Sequence, residues 1–412
     1  MHDVTIVGGG IIGVCAAIAL QDEGLSVGLV DRGLETEGAS YGNSGLLAVG
    51  EIVPLSKPGI LPKLPGWLLD PQSPLFVRSP DVIWQMPWLL RFLRAGRRKR
   101  VLEIAAALAS LTRHAEDDYR ALLGAAGIDD NLVPSEDLIV FDSKADYEAD
   151  RPTWDIRTRH GFPHRFLAAS EVRSLEPALG GPVTCGALLE GWFRFSEPGL
   201  MRDRLAAFFV ARGGSLTTGS VERILTGGGR ATALQLADGN RVAVKALVIS
   251  AGAWSRTLLR DLGIRLPLAA LQGYHHQVPE PGVSLTRAVV YANGGFVVTP
   301  MERGLRIAGT IEVAGPDPKP DYARADIIAR KATTIVPGLN IAGGRQWMGP
   351  RPFMPDTLPV IDRAPHHGNV ILALGHGQLG MTLGPTTAKR VADLVVNRTP
   401  STDLSPFRAT RF

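Results

Sequence analysis

Residues 4–13 read VTIVGGGIIG, and the next apolar run, residues 26–30, is closed by Asp31. Residues 4–7 predict a strand that runs into Gly8, Gly10 and Gly13 and then into an apolar helix ending near Gly24. Each glycine has a physical task. Gly8 permits a tight turn, Gly10 lets a pyrophosphate approach the backbone, and Gly13 lets helix and strand pack closely. The helix start offers unpaired N–H groups and the positive end of its dipole to phosphates. Asp31 stands 18 residues beyond Gly13, near the usual separation for a carboxylate that holds a ribose hydroxyl. A bare glycine pattern is weak, because such turns also occur without ligands. Here the strand, the helix and the acid all fall where the motif needs them, and the stretch predicts an adenine-dinucleotide site.

The rest of the chain bounds the answer. At 412 residues, 45% hydrophobic, it is too long for one simple core, and two domains are expected. A net charge of +4 with mostly scattered basic residues excludes nucleic acid as a partner. Cys15 and Cys185 lie far apart, with no disulfide framework and no metal-ligand spacing. This predicts no metal and a reducing, cytoplasmic location. The opening apolar run lacks a basic leader, and its glycines are spaced as a nucleotide loop, so it reads as folded structure rather than a signal peptide. No other stretch is apolar enough to span a bilayer.

After Asp31 comes the loop GASYGNSGLL (residues 38–47), then a proline-rich passage, 54–74, read as irregular or as a lid. Residues 80–124 read as mainly helical, with Pro87 interrupting the start. Trp84, Trp88, Leu89, Phe92 and Leu93 alternate there with Arg91, Arg94, Arg97, Arg98, Lys99 and Arg100. That pattern fits either a helix lying on an anionic membrane or a helix packed on the second domain with snorkelling arginines; the second is favoured. A strand at 138–141 and a helix from Pro198 to about Arg212 follow. Residues 215–250 read strand, turn, strand, with turns at 227–229 and 238–239. More strands fill 266–312. The chain ends on a strand (370–374), the glycine loop GHGQLG (375–380) and a helix with Pro385 in its first turn. The nucleotide domain is therefore discontinuous, with expected segments 1–50, 190–265 and 340–412. A substrate domain, 51–189 and 266–339, is inserted between them.

With these motifs in place, the chain resembles the FAD-dependent amine and amino-acid oxidoreductases of the D-amino-acid oxidase superfamily, nearer to the bacterial D-amino-acid dehydrogenases. The markers are VGGGIIG, GASYGNSG, PGWLLDPQSPLFVR (65–78), ALVISAGAWS (246–255), LQGYHHQV (271–278), RPFMPDTLPVI (351–361) and ALGHGQLGMTLGP (373–385). The resemblance implies an α/β FAD-binding domain of Rossmann-like, glutathione-reductase type with an inserted α+β substrate domain on a mixed, largely antiparallel sheet. It implies that Gly8, Gly10, Ile11, Ile12 and Gly13 hold the pyrophosphate of a non-covalently bound FAD. Asp31, with Arg32 beside it, takes the adenosine ribose. Ser40, Asn43, Ser44 and Gly45 line the phosphate and flavin side, and Val221 meets the adenine through its backbone. Ala251 and Gly252 close over the nucleotide, and Gly375, Gln378, Leu379, Gly380 and Thr382 surround the flavin ring. A helix start with orphan amides there suits the negative charge of a reduced flavin.

Arg351 matches the family's substrate-carboxylate arginine, and a guanidinium fork suits a planar carboxylate. Tyr274, His276 and Tyr291 are the remaining pocket candidates. His275 and His276 are adjacent on one strand and so point to opposite faces. His376 fixes the glycine loop, and Glu312 either meets the substrate amine or ends a strand. The chain departs from the family at Gln378, where relatives carry arginine or threonine. It departs again at Phe296 and Val297, near where they place a tyrosine, and at QGYH (272–275). The implied reaction is oxidation of a D-amino acid at Cα to the imino acid, with hydride passing to flavin N5. D-proline and D-hydroxyproline are candidate substrates, and a quinone or other carrier is the expected electron acceptor. A glycine- or sarcosine-type oxidase using O2, and a flavin subunit of a larger electron-transfer complex, stay open as alternatives. So does peripheral contact with the inner face of the membrane.

Overall fold

The computed structural model describes residues 1–34, 38–57, 75–77, 82–315 and 317–412. The proline-rich stretch 58–74 and most of the 65–78 marker lie outside the described residues. The Val4–Val7 strand sits in a six-stranded sheet, paired in parallel with Val27–Asp31 on one side and Ala246–Ile249 on the other. Ser215–Thr218 and Val370–Leu374 extend the parallel run, and Val360–Arg363 closes one edge antiparallel.

Alternation along these strands sorts their side chains into two layers. Val4, Ile6, Leu29, Val248 and Ile371 face a core shared with helices Ile11–Asp22, Pro198–Ala211 and Gly384–Val395. Val7, Val30, Leu247, Ile249 and Leu372 face the opposite way, onto Ile224, Leu234 and Leu236 of a three-stranded antiparallel meander. Nine of the 12 residues of helix Ile11–Asp22 are buried, which is why that helix is apolar all round. The molecule is thus a helix, parallel sheet, meander sandwich, the α/β dinucleotide architecture.

A nine-stranded, mostly antiparallel sheet forms the second unit. One face, including Leu138, Val140, Val289, Val298 and Ile307, packs under helix Ala323–Ile335 through Ile328, Ala329, Ala332 and Ile335. The other face looks towards the nucleotide unit.

Strand Arg345–Phe353, within the expected nucleotide segment 340–412, pairs along its whole length with Ala269–Val278 of the large sheet. Helix Ala115–Ala126, expected in the substrate domain, packs instead on the nucleotide side. Its Tyr119 and Leu123 share a core with Cys15, Ile18 and Val391, and the Tyr119 hydroxyl donates to the carbonyl of Met381. Pro87 does not break its helix, which runs Val82–Ala95; proline at that position forfeits one bond to a carbonyl in the first turn. Trp88 turns inward against Ala269, Leu271, Val313 and Phe353, so the apolar side of that helix packs on the large sheet. Among the described residues, no helix is long and apolar enough to cross a membrane.

Candidate active site

The carboxyl ends of the parallel strands open on one cavity of about 820 Å³. Its walls take Val7–Gly10 from the first strand, Asp31 and Arg32 from the second, Gly219–Glu222, Ser250–Trp254, and the loop after Leu374. This is where ligands bind in open α/β sheets. Gly8 stands at φ +108°, and a side chain there would strike the backbone of Ser250 at 2.5 Å. A Cβ on Gly13 would lie 1.8 Å from the carbonyl oxygen of Gly8, so this glycine sets how closely helix and strand approach. The helix begins at Gly10, a cap with no side chain, so its first amides face the cavity bare apart from Ile11 N, which donates to Ser40 Oγ at 3.0 Å. Asp31 accepts from Gly9 N at 2.6 Å and from Gly33 N at 2.9 Å.

The large sheet supplies the far wall through Ile139, Val290, Val297 and Ala308, and Arg351 stands among them. A bulge makes room for its side chain. Gln272 pairs with Glu312 and Tyr274 with Gly309, so Gly273 alone opposes Thr310 and Ile311. The guanidinium lies over Gly273, where a Cβ would sit 2.3 Å from Arg351 Cζ. Thr310 is held at φ +54°, a left-handed conformation that costs roughly 1–3 kcal/mol, and its carbonyl accepts from Arg351 at 3.2 Å. Bulges beside active sites commonly re-aim groups in this way. Burial alone pulls the guanidinium down to about 10, and among the described residues no carboxylate pairs with it. It stays charged at neutral pH.

A family profile described as FAD dependent oxidoreductase matches residues 3–394. The chain belongs to the FAD-dependent oxidoreductases. It is 33% identical to a D-amino-acid oxidase of Bradyrhizobium diazoefficiens over 99% of this chain and 98% of that one. It is 30% identical to a D-amino acid dehydrogenase of Xylella fastidiosa, over 96% of this chain and 92% of the relative. A glycine oxidase from Geobacillus kaustophilus shares the fold at TM-score 0.75, with 24% identity and coverage of 100% and 99%.

The cavity fits FAD on its own geometry, with a glycine floor free of side chains, bare helix amides and a carboxylate at the end of the second strand. Of the residues expected to hold FAD, Gly8, Gly10, Ile11, Ile12, Asp31, Arg32, Ser40, Asn43, Ser44, Val221, Ala251, Gly252, Gly375, Gln378, Leu379 and Gly380 all line this cavity. Gly13, Gly45 and Thr382 do not. They stand behind the lining: Gly13 under the glycine turn, Gly45 held by the Asn43 side chain, and Thr382 Oγ1 accepting from Ala48 N at 3.1 Å. The loop after Leu374 forms a 3₁₀ turn, Gly377–Leu379, and the α-helix starts only at Gly384. The amides of this loop that line the cavity thus belong to a turn, not to the first turn of the helix expected there.

Three pocket candidates fall outside the cavity. Tyr274 and His276 occupy the face of their strand that packs under helix Ala323–Ile335. The Tyr274 hydroxyl bonds Glu312, and His276 Nδ1 sits 3.5 Å from Asp326. Tyr291 points to the same covered side and donates to Asp142 at 2.8 Å. Glu312 is buried with Tyr274. His275 takes the cavity side, stacked on Trp347, a lining residue, with Nδ1 3.2 Å from the carbonyl of Gly42. His376 lines the cavity and bonds Thr387 Oγ1 at 3.0 Å. Burial pushes its imidazole down to about 3, too weak a base to accept a proton usefully near neutrality.

Glu51, Trp192, Arg202 and Trp347 also line the cavity, and no motif in the sequence marks them; Trp254, from the ALVISAGAWS stretch, lines it too. Arg32 stacks over Trp254 at 3.6 Å, and the Trp254 indole donates to Asp317 at 3.1 Å. Buried Arg306 donates to the carbonyls of Tyr41 and Asn43 at 3.2 and 2.7 Å and pairs with Glu197 at 2.5 Å, fixing the loop that lines the cavity at Gly42–Ser44.

Proposed function

We propose that this enzyme oxidises a D-amino acid at Cα to the imino acid. Arg351 carries the reading. A half-buried, charged guanidinium that faces a cavity without a carboxylate partner among the described residues is poorly compensated unless an anion joins it, and an amino-acid carboxylate matches its fork. Thr310 and Gly273 hold that fork in place. The apolar side chains of Ile139, Leu189, Val290 and Val297 exclude water around the substrate carbon and strengthen each charged contact. Bound FAD supplies the acceptor for the Cα hydride. Relatives named D-amino-acid oxidase and D-amino acid dehydrogenase, similar over nearly the whole chain, support the D configuration.

The test is anaerobic mixing of the flavoprotein with single enantiomers, D-proline and a D-hydroxyproline among them. Absorbance near the flavin maximum should bleach with D-amino acids and persist with their L-forms. Bleaching by L-amino acids or by N-methylglycine alone would overturn the assignment.

We infer further that electrons leave to a quinone or other carrier at the inner face of the membrane. Met86 and Leu90 are exposed on helix Val82–Ala95 beside exposed Arg91, Arg94, Arg97, Arg98 and Lys99, a combination suited to anionic lipid. Turnover with a quinone analogue or dye is expected to outpace peroxide formation in air. The protein should sediment with phosphatidylglycerol vesicles, lose that association in high salt, and ignore phosphatidylcholine. Equal behaviour with both lipids, or peroxide at the full turnover rate, removes this part of the reading.

A further inference from the structure

Glu51 puts an acidic side chain into the same cavity as Arg351. Its Oε2 is held by Arg157 at 2.5 Å. Arg157 is nearly sealed, with its side chain 5% exposed against 27% for Glu51, and it is packed over Trp154 and Trp192 at 5.3 and 5.9 Å. The other oxygen, Oε1, faces Gln378 Nε2 at 3.5 Å, the outer limit of a hydrogen bond. One oxygen is therefore committed to a positioning cation in the wall, and the other is only loosely engaged from the cavity side.

The backbone brings this carboxylate to the substrate end of the cavity. Phe353 and His376 form an antiparallel bridge between the strand that carries Arg351 and the loop that carries Gln378. The 3₁₀ turn Gly377–Leu379 packs against strand Arg345–Phe353, which brings Gln378 to the part of the cavity wall that also carries Arg351. Glu51 is the acid next to Gln378. The cavity thus offers a cation on one side and, past one amide, an anion on the other.

We propose that Glu51 Oε1 binds the protonated nitrogen of the substrate while Arg351 holds its carboxylate, so that the pocket selects amino acids over other carboxylates. The nitrogen is either the α-ammonium or a cation on the side chain. Arg157 acts through Glu51 as a positioning residue. The proposal rests on the assignment of Arg351 as carboxylate anchor, and the test separates the two.

The probes are 2-aminoisobutyrate, which has no Cα hydrogen and cannot be oxidised, and isobutyrate, which lacks the nitrogen. Binding to the FAD-loaded protein is measured by calorimetry. A charge-assisted hydrogen bond is worth about 1.5–3 kcal/mol, so Glu51→Gln is expected to weaken 2-aminoisobutyrate roughly ten- to hundredfold and leave isobutyrate unchanged. Arg351→Ala should weaken both ligands. If Glu51→Gln leaves 2-aminoisobutyrate unchanged but weakens D-lysine tenfold or more as a competitor of D-alanine oxidation, the bound nitrogen is the distal one. The proposal fails if Glu51→Gln changes neither 2-aminoisobutyrate binding nor D-lysine competition, or weakens 2-aminoisobutyrate and isobutyrate equally, as a purely structural ion pair would. If Arg351→Ala leaves isobutyrate binding intact, the anchor is wrong whatever Glu51 does. Glu51→Ala, which removes the partner of Arg157, serves as the folding control, with its melting temperature read beside that of Glu51→Gln.

Discussion

Replacing Arg351 with alanine is expected to raise the KM for amino-acid substrate by roughly 30- to 5,000-fold while the protein stays yellow. The range follows from the cost of about 2–5 kcal/mol for truncating one partner of a buried, hydrogen-bonded charge pair. The flavin should remain because Arg351 belongs to the large sheet, whereas the nucleotide contacts come from the glycine turn and the strand ends of the parallel sheet. Arg351→Lys should recover part of the loss, since it restores the charge without the bidentate fork. Steady-state kinetics and the visible spectrum check both points together. Loss of colour, or an unchanged KM, would show that the guanidinium serves the fold and not the substrate.

The second large effect separates two glycines of one motif. Gly13→Ala forces a methyl to within 1.8 Å of the Gly8 carbonyl oxygen. Backbone cannot yield there without pulling the helix off the sheet, so this variant should fail to accumulate as folded protein. Gly10→Ala meets only Ser40 Oγ, at 3.3 Å. Its apoprotein should fold with nearly native circular dichroism and melting, yet its methyl stands where the phosphates approach the amides. FAD affinity, read from quenching of flavin fluorescence on titration, is expected to fall at least tenfold, an effect of about 1.4 kcal/mol. Native FAD affinity in Gly10→Ala would mean that the dinucleotide does not cross this turn.

What the sequence made legible follows the range over which each signal acts. The glycine turn and Asp31 were readable because their geometry is local: one strand, one turn, one helix, one further strand. The hairpins at Gly228, Gly229 and Gly239, all at positive φ, were readable for the same reason. Arg351 was reached through resemblance, because nothing nearby in sequence reveals the bulge at Thr310 or the bare backbone at Gly273 that seat it.

Tyr274, His276 and Tyr291 show the limit of alternation. It divides a strand into two faces but does not say which one meets the cavity, and helix Ala323–Ile335 covers the face they occupy. Glu51 and Arg157 are 106 residues apart and belong to no motif, so only the folded chain joins them. Strand Arg345–Phe353 leads directly towards the loop after Leu374, yet its hydrogen bonds go to the large sheet, a long-range pairing that no local signal reveals.

The order of strands has a consequence for how the protein is made. Val4–Val7 leaves the ribosome well before its neighbour Ala246–Ile249 and the next strand, Val370–Leu374. At about 5–20 residues per second, the first strand waits roughly 20–70 s for the sheet to be completed. During that interval an apolar strand and helix stand without most of their partners, a natural target for chaperones. The cavity that fits FAD is therefore walled only once the ALGHGQLG segment has emerged.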